Sequence, residues 1–187
     1  VLGIKSKNAI ILVSEKKAVP QLQVERTMKK IVEIDDHVIL SFAGLYADAR
    51  IIINRARIEC QSHKLTVEDP CTLEYITRYV SEIKQHYTHY NGLRPFGLST
   101  IITGFDPDGT ARLFQTDPSG TYHEWMACTI GKRSKSVLEY LEKHYSQINL
   151  EDENDIIKLG LRAIFQVSMF NTLIIYILIV LNCHSSD

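Results

Sequence analysis

The sequence predicts an α+β protein, a four-layer α-β-β-α sandwich of two antiparallel sheets. Two observations predict it. The patterns run in the order strands, two helices, strands, two helices. The helix patterns carry an apolar stripe on one face only, so each pair of helices needs a sheet to cover its stripes. Two sheets packed face to face, each with a helix pair outside it, bury all of these apolar surfaces.

The segment of residues 29–57 sets this arrangement. Residues 30–34 alternate roughly between polar and apolar, as a half-buried strand does. A short polar turn leads to residues 38–42, an almost continuous apolar run that is typical of a strand covered on both faces. Gly44 permits a sharp bend into a first helix, whose apolar residues recur at helical spacing. These are Leu45, Ala49, Ile52, Ile53, Ala56 and Cys60.

The elements around this segment follow from similar patterns. Residues 1–5 and 9–14 read as two strands, and a charged connection over residues 15–26 follows them. A second helix begins after Pro70, and a proline at position 95 marks the limit of its extension. Its buried stripe is predicted as Leu73, Ile76, Val80, Ile83 and Tyr87.

The second half of the chain supplies the second set of strands and helices. Residues 97–105, 111–115 and 122–130 are predicted as three strands, separated by proline- and glycine-containing turns. A third helix is predicted over residues 135–145. A fourth begins near the acidic residues 151–153, since the helix dipole favours negative charge there. Its inner positions are predicted as Ile156, Gly160, Ile164 and Val167.

Composition narrows the function classes. A chain of 187 residues favours one domain, and a net charge of −1 gives no case for nucleic acid or an anionic membrane as partner. The four cysteines lack zinc spacing, so we expect free buried thiols.

His86 and His89 have a spacing that metal ligands use, but a solvated helix face is the favoured interpretation. Phosphate-binding loops and nucleophile elbows are absent, and we expect no metal, no cofactor and no catalytic residue.

Three charged positions are candidates for contacts with a neighbouring subunit. Arg50 belongs to a charged face of the first helix, for which a solvated surface and an oligomer interface both remain open. Arg94 and Asp117 stand in RPFG (94–97) and DPSGT (117–121). Each of these segments combines proline, glycine and a charge, which is typical of a rigid turn that holds a loop for a neighbour.

These turns, together with GLYADAR at 44–50, resemble the alpha subunits of the 20S proteasome. RIECQSHKLTVEDP at 57–70, EYITRY at 74–79 and QTDPSGTY at 115–122 resemble the alpha type-7 branch, which holds the fourth ring position. The resemblance covers residues 1 to about 167. It implies the N-terminal-nucleophile hydrolase fold, which is the same four-layer sandwich.

The resemblance also implies a function. The chain is expected to be a non-catalytic alpha-ring subunit that scaffolds ring assembly and activator docking for ubiquitin-dependent protein degradation. It would itself be no enzyme, but part of a threonine-type endopeptidase complex in the cytoplasm and nucleus. Its implied partners are neighbouring alpha subunits in a seven-membered ring, beta subunits, and the C-termini of a regulatory particle or activator. No nucleic acid and no membrane are expected.

The family comparison assigns roles to single positions. The related beta subunits cut peptides with an N-terminal threonine supported by a lysine, an aspartate and a serine. The corresponding positions hold Val1, Lys30, Ser14 and Lys132, so only the lysine remains. In alpha subunits this lysine, with Leu45 nearby, resembles the one that lines activator-docking pockets between neighbours. Arg133 departs from the family, which often keeps a glycine there.

Two other function classes compete with this interpretation. The first is an active N-terminal-nucleophile amidohydrolase, whose nucleophile would lie upstream of Val1, as the gate segment and first helix of the family would. Such an enzyme needs a free Thr, Ser or Cys at its mature N-terminus, because the α-amino group serves as the base. The second is a membrane-tethered protein, which depends only on the apolar tail.

The tail divides the chain into a single alpha-type domain, residues 1–168, and an atypical segment, residues 169–187. Residues 173–181 are nine apolar residues in a row. A helix over residues 169–181 would cover about 20 Å, too short for a hydrocarbon core of about 30 Å. The run fits a core strand, but our hypothesis is a retained-intron product that replaces the native edge strands. In that case the missing edge strands would lower stability, and an exposed apolar run of this kind would promote aggregation.

Overall fold

The computed structural model describes residues 1–16, 29–145, 152–167 and 174–181. Its elements are β1 Leu2–Lys5, β2 Ala9–Lys16, β3 Ile31–Asp35, β4 Val38–Gly44, α1 Tyr46–Val67, α2 Leu73–His89, β5 Leu98–Phe105, β6 Ala111–Thr116, β7 Tyr122–Glu124, β8 Ala127–Thr129, α3 Ser134–His144, α4 Glu153–Val167 and β9 Ile174–Leu181. The predicted connection of residues 15–26 lies mostly outside the described residues.

The strands form two antiparallel sheets, as predicted. One has the strand order β8-β1-β2-β9 and the other β3-β4-β5-β6-β7. Helices α1 and α2 pack on the five-stranded sheet, and α3 and α4 pack on the four-stranded sheet. The α-β-β-α sandwich is therefore confirmed.

Three apolar cores lie between the four layers. Strand β2 shows why, since Leu12 belongs to the core between the sheets, whereas Ile11 and Val13 belong to the core under α3 and α4. Both faces of the strand are buried, which explains its continuous apolar run. In the same way, Leu40 of β4 packs under α1 and α2, and Ile39 packs between the sheets.

The predicted strand over residues 122–130 is wrong, because the chain changes sheets within it. β7 pairs with β6, and β8 pairs with β1 in the other sheet. At the crossing, the Trp125 amide donates to the Leu113 carbonyl (2.9 Å) and the Met126 carbonyl accepts from the Lys5 amide (2.9 Å). These bonds hold the chain to both sheets in turn. The segment contains no glycine or proline, so the sequence carries no signal for the break.

The apolar tail contributes a strand. β9 runs antiparallel to β2 from the pair Ala9↔Leu181 to the pair Lys16↔Ile174. Leu178 packs against the core between the sheets. For residues 174–181, the pairing confirms the core-strand alternative, since apolar and β-branched residues suit a strand in a sheet. The origin of the tail stays a prediction, as does the boundary at residue 168.

The helices match their predicted faces except at Leu45, which was predicted at the start of the first helix's stripe but precedes α1 and is exposed. The apolar stripe of α2 is buried from Leu73 to Ile83. Helix α1 is capped at its C-terminus by Glu68, which takes a left-handed conformation (φ 65°). In α4, Ile156 and Gly160 face inward as predicted, with Ile164 half-buried. The side chain of Val167 lies outside the described residues.

Candidate functional site

Lys30 lies at the end of the sandwich where β2 ends and β3 begins. Its carbonyl accepts from the Ser41 hydroxyl (2.9 Å) and the Phe42 amide (3.3 Å), which fixes the backbone beside β4. Its ammonium donates to the Glu15 carbonyl at 2.6 Å. Glu15 belongs to the other sheet, so Lys30 links the two sheets at this end.

Leu45 lies at the same end of the β3–β4 hairpin, because it follows β4 directly. It is the N-cap residue of α1, its amide donates to the Gly97 carbonyl at 2.9 Å, and its side chain is 53% exposed. Two glycines permit this close approach. A Cβ at Gly44 (φ +139°) would lie 2.2 Å from the Gly97 carbonyl oxygen, and one at Gly97 would lie 2.8 Å from Leu45 Cδ1. The hairpin thus presents an exposed apolar side chain at the same end as Lys30.

A cleft of about 160 Å³ opens beside this end of β1 and β2. Its lining includes Val1, Glu15, Thr129, Lys132 and Ser134. Its volume is below the roughly 300–1,000 Å³ of sites that bind small molecules. The Thr129 hydroxyl donates to the Ser134 carbonyl at 2.9 Å, so it is already engaged with the backbone. The cleft has the size for a few water molecules or a single small group.

The positions that support catalysis in beta subunits carry no catalytic set. Ser14 is fully buried, and its hydroxyl has no hydrogen-bond partner within the described part of the chain. A neutral hydroxyl there replaces a carboxylate that would pair with Lys30. Lys132 is exposed and adds a second positive charge where a hydroxyl would be needed. Neither a histidine nor a cysteine stands among the described residues that line the cleft.

Arg94 is bound within the subunit. Its guanidinium makes two hydrogen bonds of 2.7 Å to the two carboxylate oxygens of Asp48, which also accepts from the Gly97 amide at 3.0 Å. Asp48 is buried, and the Arg94 hydrogen bonds lower the pKa of its carboxyl to about 2. This bidentate pair ties the loop before β5 to the start of α1, next to Leu45.

The other two interface candidates differ in their surroundings. Arg50 is exposed on α1. Asp117 is half-buried in the turn after β6, where its amide donates to the Thr121 carbonyl (2.9 Å) and its carbonyl accepts from the Gly120 amide (3.1 Å). The rigid turn predicted there is confirmed. The interface roles of Arg50, Arg94 and Asp117 stay predictions.

The charged face of α1 binds the rest of the subunit as well as solvent. Arg57 donates two hydrogen bonds, of 2.7 and 3.2 Å, to the Glu33 carbonyl of β3. Glu59 accepts from the Tyr75 hydroxyl at 2.5 Å, a bond that raises the pKa of Tyr75 to about 12. Part of this face therefore holds α1 onto β3 and α2, an alternative that the sequence did not suggest.

The departure at Arg133 has a conformational consequence. Arg133 is the N-cap residue of α3 and takes a left-handed conformation (φ 63°, ψ 20°). A residue with a Cβ adopts this region at a cost of about 1 kcal/mol, whereas glycine does not. A glycine, which the resemblance implies at this position, would avoid this cost, and this chain keeps the turn without it.

The structure adds one charged residue that the sequence interpretation missed. Lys84 of α2 is fully buried, and its ammonium donates to the Thr116 hydroxyl (2.5 Å), the Thr116 carbonyl (3.3 Å) and the Thr100 hydroxyl (3.2 Å). Burial lowers the pKa of Lys84 to about 7. The signal was in the spacing, since Lys84 follows Ile76 and Val80 at steps of four on the inner face.

The predictions on free cysteines, metal ligands and membrane helices can be compared with the structure only within the described residues. There, Cys60, Cys71 and Cys128 are free and buried as predicted, whereas Cys183 lies outside. Over the same ranges no group of three or more His, Cys, Asp and Glu side chains is arranged to hold a metal ion. His86 and His89 are exposed on α2. None of the described helices combines the length and apolarity that crossing a bilayer requires.

Known proteins resemble the chain over nearly its whole length. The family model described as proteasome subunit matches residues 1–180. Proteasome subunit alpha type-7-like of Macaca fascicularis is 57% identical over 166 residues, covering 89% of this chain and 66% of that protein. Proteasome subunit alpha type-8 of Mus musculus is 56% identical over 166 residues, with the same coverage.

An insect protein gives a similar result. Proteasome subunit alpha type-7-1 of Drosophila melanogaster is 52% identical over 167 residues, covering 89% of this chain and 67% of that protein. The chain thus spans about two thirds of the length of the curated relatives it matches. The family model covers most of the chain and the relatives are more than half identical to it, so the chain belongs to the proteasome subunit family.

Proposed function

We propose that this chain is a non-catalytic alpha-ring subunit of the 20S core particle, where it scaffolds ring assembly and activator docking for ubiquitin-dependent protein degradation. The observation that carries the proposal is 52–57% identity, over 89% of the chain, to proteins named as proteasome alpha subunits. The surroundings of Lys30 support it, because its ammonium bonds the Glu15 carbonyl and the residue before Glu15 is the buried Ser14, a hydroxyl rather than a carboxylate. This arrangement gives no support to an active amidohydrolase.

The proposed partners follow from this role. They are neighbouring alpha subunits in a seven-membered ring, beta subunits, and the C-termini of a regulatory particle or activator, in the cytoplasm and nucleus. Arg50 and the turn of Asp117 are the surfaces that we assign to neighbours. Arg94 would act indirectly, by fixing the loop before β5 through Asp48.

Peptide hydrolysis tests the non-catalytic part of the proposal. The purified chain is expected to release no fluorophore from peptide substrates above the uncatalysed rate, because nucleophile, base and orienting group act as a unit. The assay is run with and without a threonine-directed covalent inhibitor. Lys30→Ala serves as the control, since contaminating protease would remain active in that variant. Inhibitor-sensitive turnover that disappears in Lys30→Ala would contradict the proposal.

We further propose that Lys30 and Leu45 form one side of an activator-docking pocket. The ammonium of Lys30 would pair with a terminal carboxylate, and the exposed side chain of Leu45 would contact the apolar residues before it. A hydrogen bond to a charged group of this kind contributes about 1.5–3 kcal/mol. The support is their shared position at the end of the β3–β4 hairpin.

In a reconstituted particle, Lys30→Ala is expected to weaken the binding of an activator C-terminal peptide at this pocket by about ten-fold or more. Lys29→Ala is the matched control, because Lys29 is the exposed neighbour and its removal changes the net charge equally. Lys30→Arg should retain part of the affinity. Thermal unfolding of each variant checks that the subunit stays folded. Equal affinity for Lys30→Ala and Lys29→Ala would exclude the role.

A further inference from the structure

Two cysteines lie side by side under the link between the first two helices. Cys60 belongs to α1 and Cys71 lies just before α2, and both side chains are fully buried. Their sulfur atoms are 3.4 Å apart, and one thiol donates a hydrogen bond to the other. A disulfide needs the two sulfur atoms to approach to about 2.05 Å. The pair is therefore a dithiol whose sulfur atoms already face each other.

Histidines adjoin this pair. The His37 ring lies with Nε2 2.7 Å from the Cys71 carbonyl oxygen, and His63 Nδ1 lies 3.3 Å from the Asp69 carbonyl oxygen. The hydrogen bond with Cys60 and the neighbouring His37 lower the pKa of Cys71 to about 5, while the same hydrogen bond and burial raise the pKa of Cys60. The carboxylates of Asp35 and Glu59 favour the neutral thiol on the Cys60 side.

The arrangement provides both parts of an oxidation site. A thiolate reacts with oxidants, and a neighbouring thiol resolves the product as a disulfide. The side chain of Cys71 is buried, but residues 68–70 before it and Thr72 after it are exposed. A small oxidant therefore needs only a local opening of this link to reach the sulfur.

We propose that Cys60 and Cys71 form a reversible disulfide when the protein meets hydrogen peroxide. The Cys71 thiolate attacks one peroxide oxygen, an S–O bond forms, the O–O bond breaks, and the departing hydroxide takes a proton to become water. The Cys60 sulfur then attacks the Cys71 sulfur, an S–S bond forms, the S–O bond breaks, and hydroxide leaves with the Cys60 proton. In sum, two thiols and one peroxide give one disulfide and two waters.

The bond would join the last turns of α1 to the start of α2. These helices cover the five-stranded sheet, and Cys60 and Cys71 both belong to the core beneath them. Oxidation would therefore cross-link the helix layer without bringing a polar group into the core, since a disulfide replaces the two thiols in place.

Peptide mapping of the folded full chain tests the proposal. The protein is treated with hydrogen peroxide, unfolded with N-ethylmaleimide present, and digested with trypsin without reductant. Cleavage after Arg57, Lys64 and Arg78 puts Cys60 in peptide 58–64 and Cys71 in peptide 65–78. We expect these two peptides to appear linked, with loss of two hydrogens, and to separate after dithiothreitol. Cys128 is the internal control, because burial raises the pKa of its thiol to about 12 and it should remain alkylated.

Two variants test the separate roles of the second thiol and of the neighbouring histidine. In Cys60→Ser, Cys71 should stop at a sulfenic acid that dimedone labels. In His37→Gln, whose amide can still bond the Cys71 carbonyl, the pH at which Cys71 reacts at half its maximal rate should move upward. Peptide mapping of the wild-type protein tests the proposal even if a variant does not fold. Separate alkylated peptides 58–64 and 65–78 after peroxide, or linkage of either to Cys128 or Cys183, would overturn the proposal.

Discussion

Gly44→Ala is expected to destabilise the protein by at least about 3 kcal/mol, because two costs act together. The backbone at Gly44 has φ +139°, a conformation that side chains rarely adopt. The added Cβ would also lie 2.2 Å from the Gly97 carbonyl oxygen and 2.6 Å from Leu98 Cα. Both contacts are with backbone atoms, so no rotamer change relieves them. Urea unfolding followed by circular dichroism measures the loss.

The matched control is Gly92→Ala. Gly92 also has positive φ (+87°), but a Cβ there meets nothing within 4 Å. Gly92→Ala should lower the free energy of unfolding by only about 1 kcal/mol, which is the cost of positive φ without any steric contact. Similar losses for the two variants would show that the close approach at Gly97 is not what requires glycine at position 44. The contact with Gly97 would then not be what fixes the backbone of Leu45 at the start of α1.

Lys84 is expected to make stability depend on pH between about 7 and 10.5. The pKa of its ammonium is lowered from 10.5 to about 7, first by burial, while Asp117 acts in the opposite direction. Within this window the unfolded chain binds a proton that the folded chain lacks. Protons therefore favour unfolding, and the free energy of unfolding rises with pH. The total rise is on the order of 5 kcal/mol, and below pH 7 the cost of burying the charged ammonium no longer changes with pH.

Lys84→Met is the variant that tests this. Methionine has a similar length, and the hydroxyls of Thr100 and Thr116 keep their mutual hydrogen bond of 2.6 Å. Near pH 7 the variant should be as stable as the wild type or more so. Towards pH 10 the wild type should gain stability relative to the variant, because only the wild type has an ammonium that titrates. Urea unfolding at a series of pH values gives both curves. Parallel curves would rule out Lys84 as the source, since other groups titrate equally in both proteins.

Much of the fold was predictable because its signals are local. Apolar stripes at helical spacing and continuous apolar strands leave one solution for covering every face, and α1, α2, β2 and β4 appear where the patterns place them. The split between β7 and β8 was not predictable. Tyr122 to Thr129 reads as one strand, and the change of sheet at Trp125 depends on how the two sheets pack.

The site was less accessible to sequence reasoning. Lys30 and Leu45 were found through family resemblance, and a short hairpin brings their positions together. The Asp48–Arg94 pair joins residues 46 positions apart, and one sequence offers no signal for such a contact. Cys60 and Cys71 are close only because the chain reverses between α1 and α2. The distance between residues on the two sides of a chain reversal depends on how the helices pack. The apolar periodicity within each helix does not specify that packing.

Native mass spectrometry tests the central claim, that this chain is a subunit of a proteasome ring, most directly. The chain is tagged, co-expressed with the remaining alpha and beta subunits, and purified through the tag under non-denaturing conditions. We expect a particle whose seven-membered alpha rings each contain the chain, and whose peptidase activity is unchanged by Lys30→Ala in this subunit. Recovery of the chain alone or as a self-oligomer, with core particles that lack it, would contradict the account.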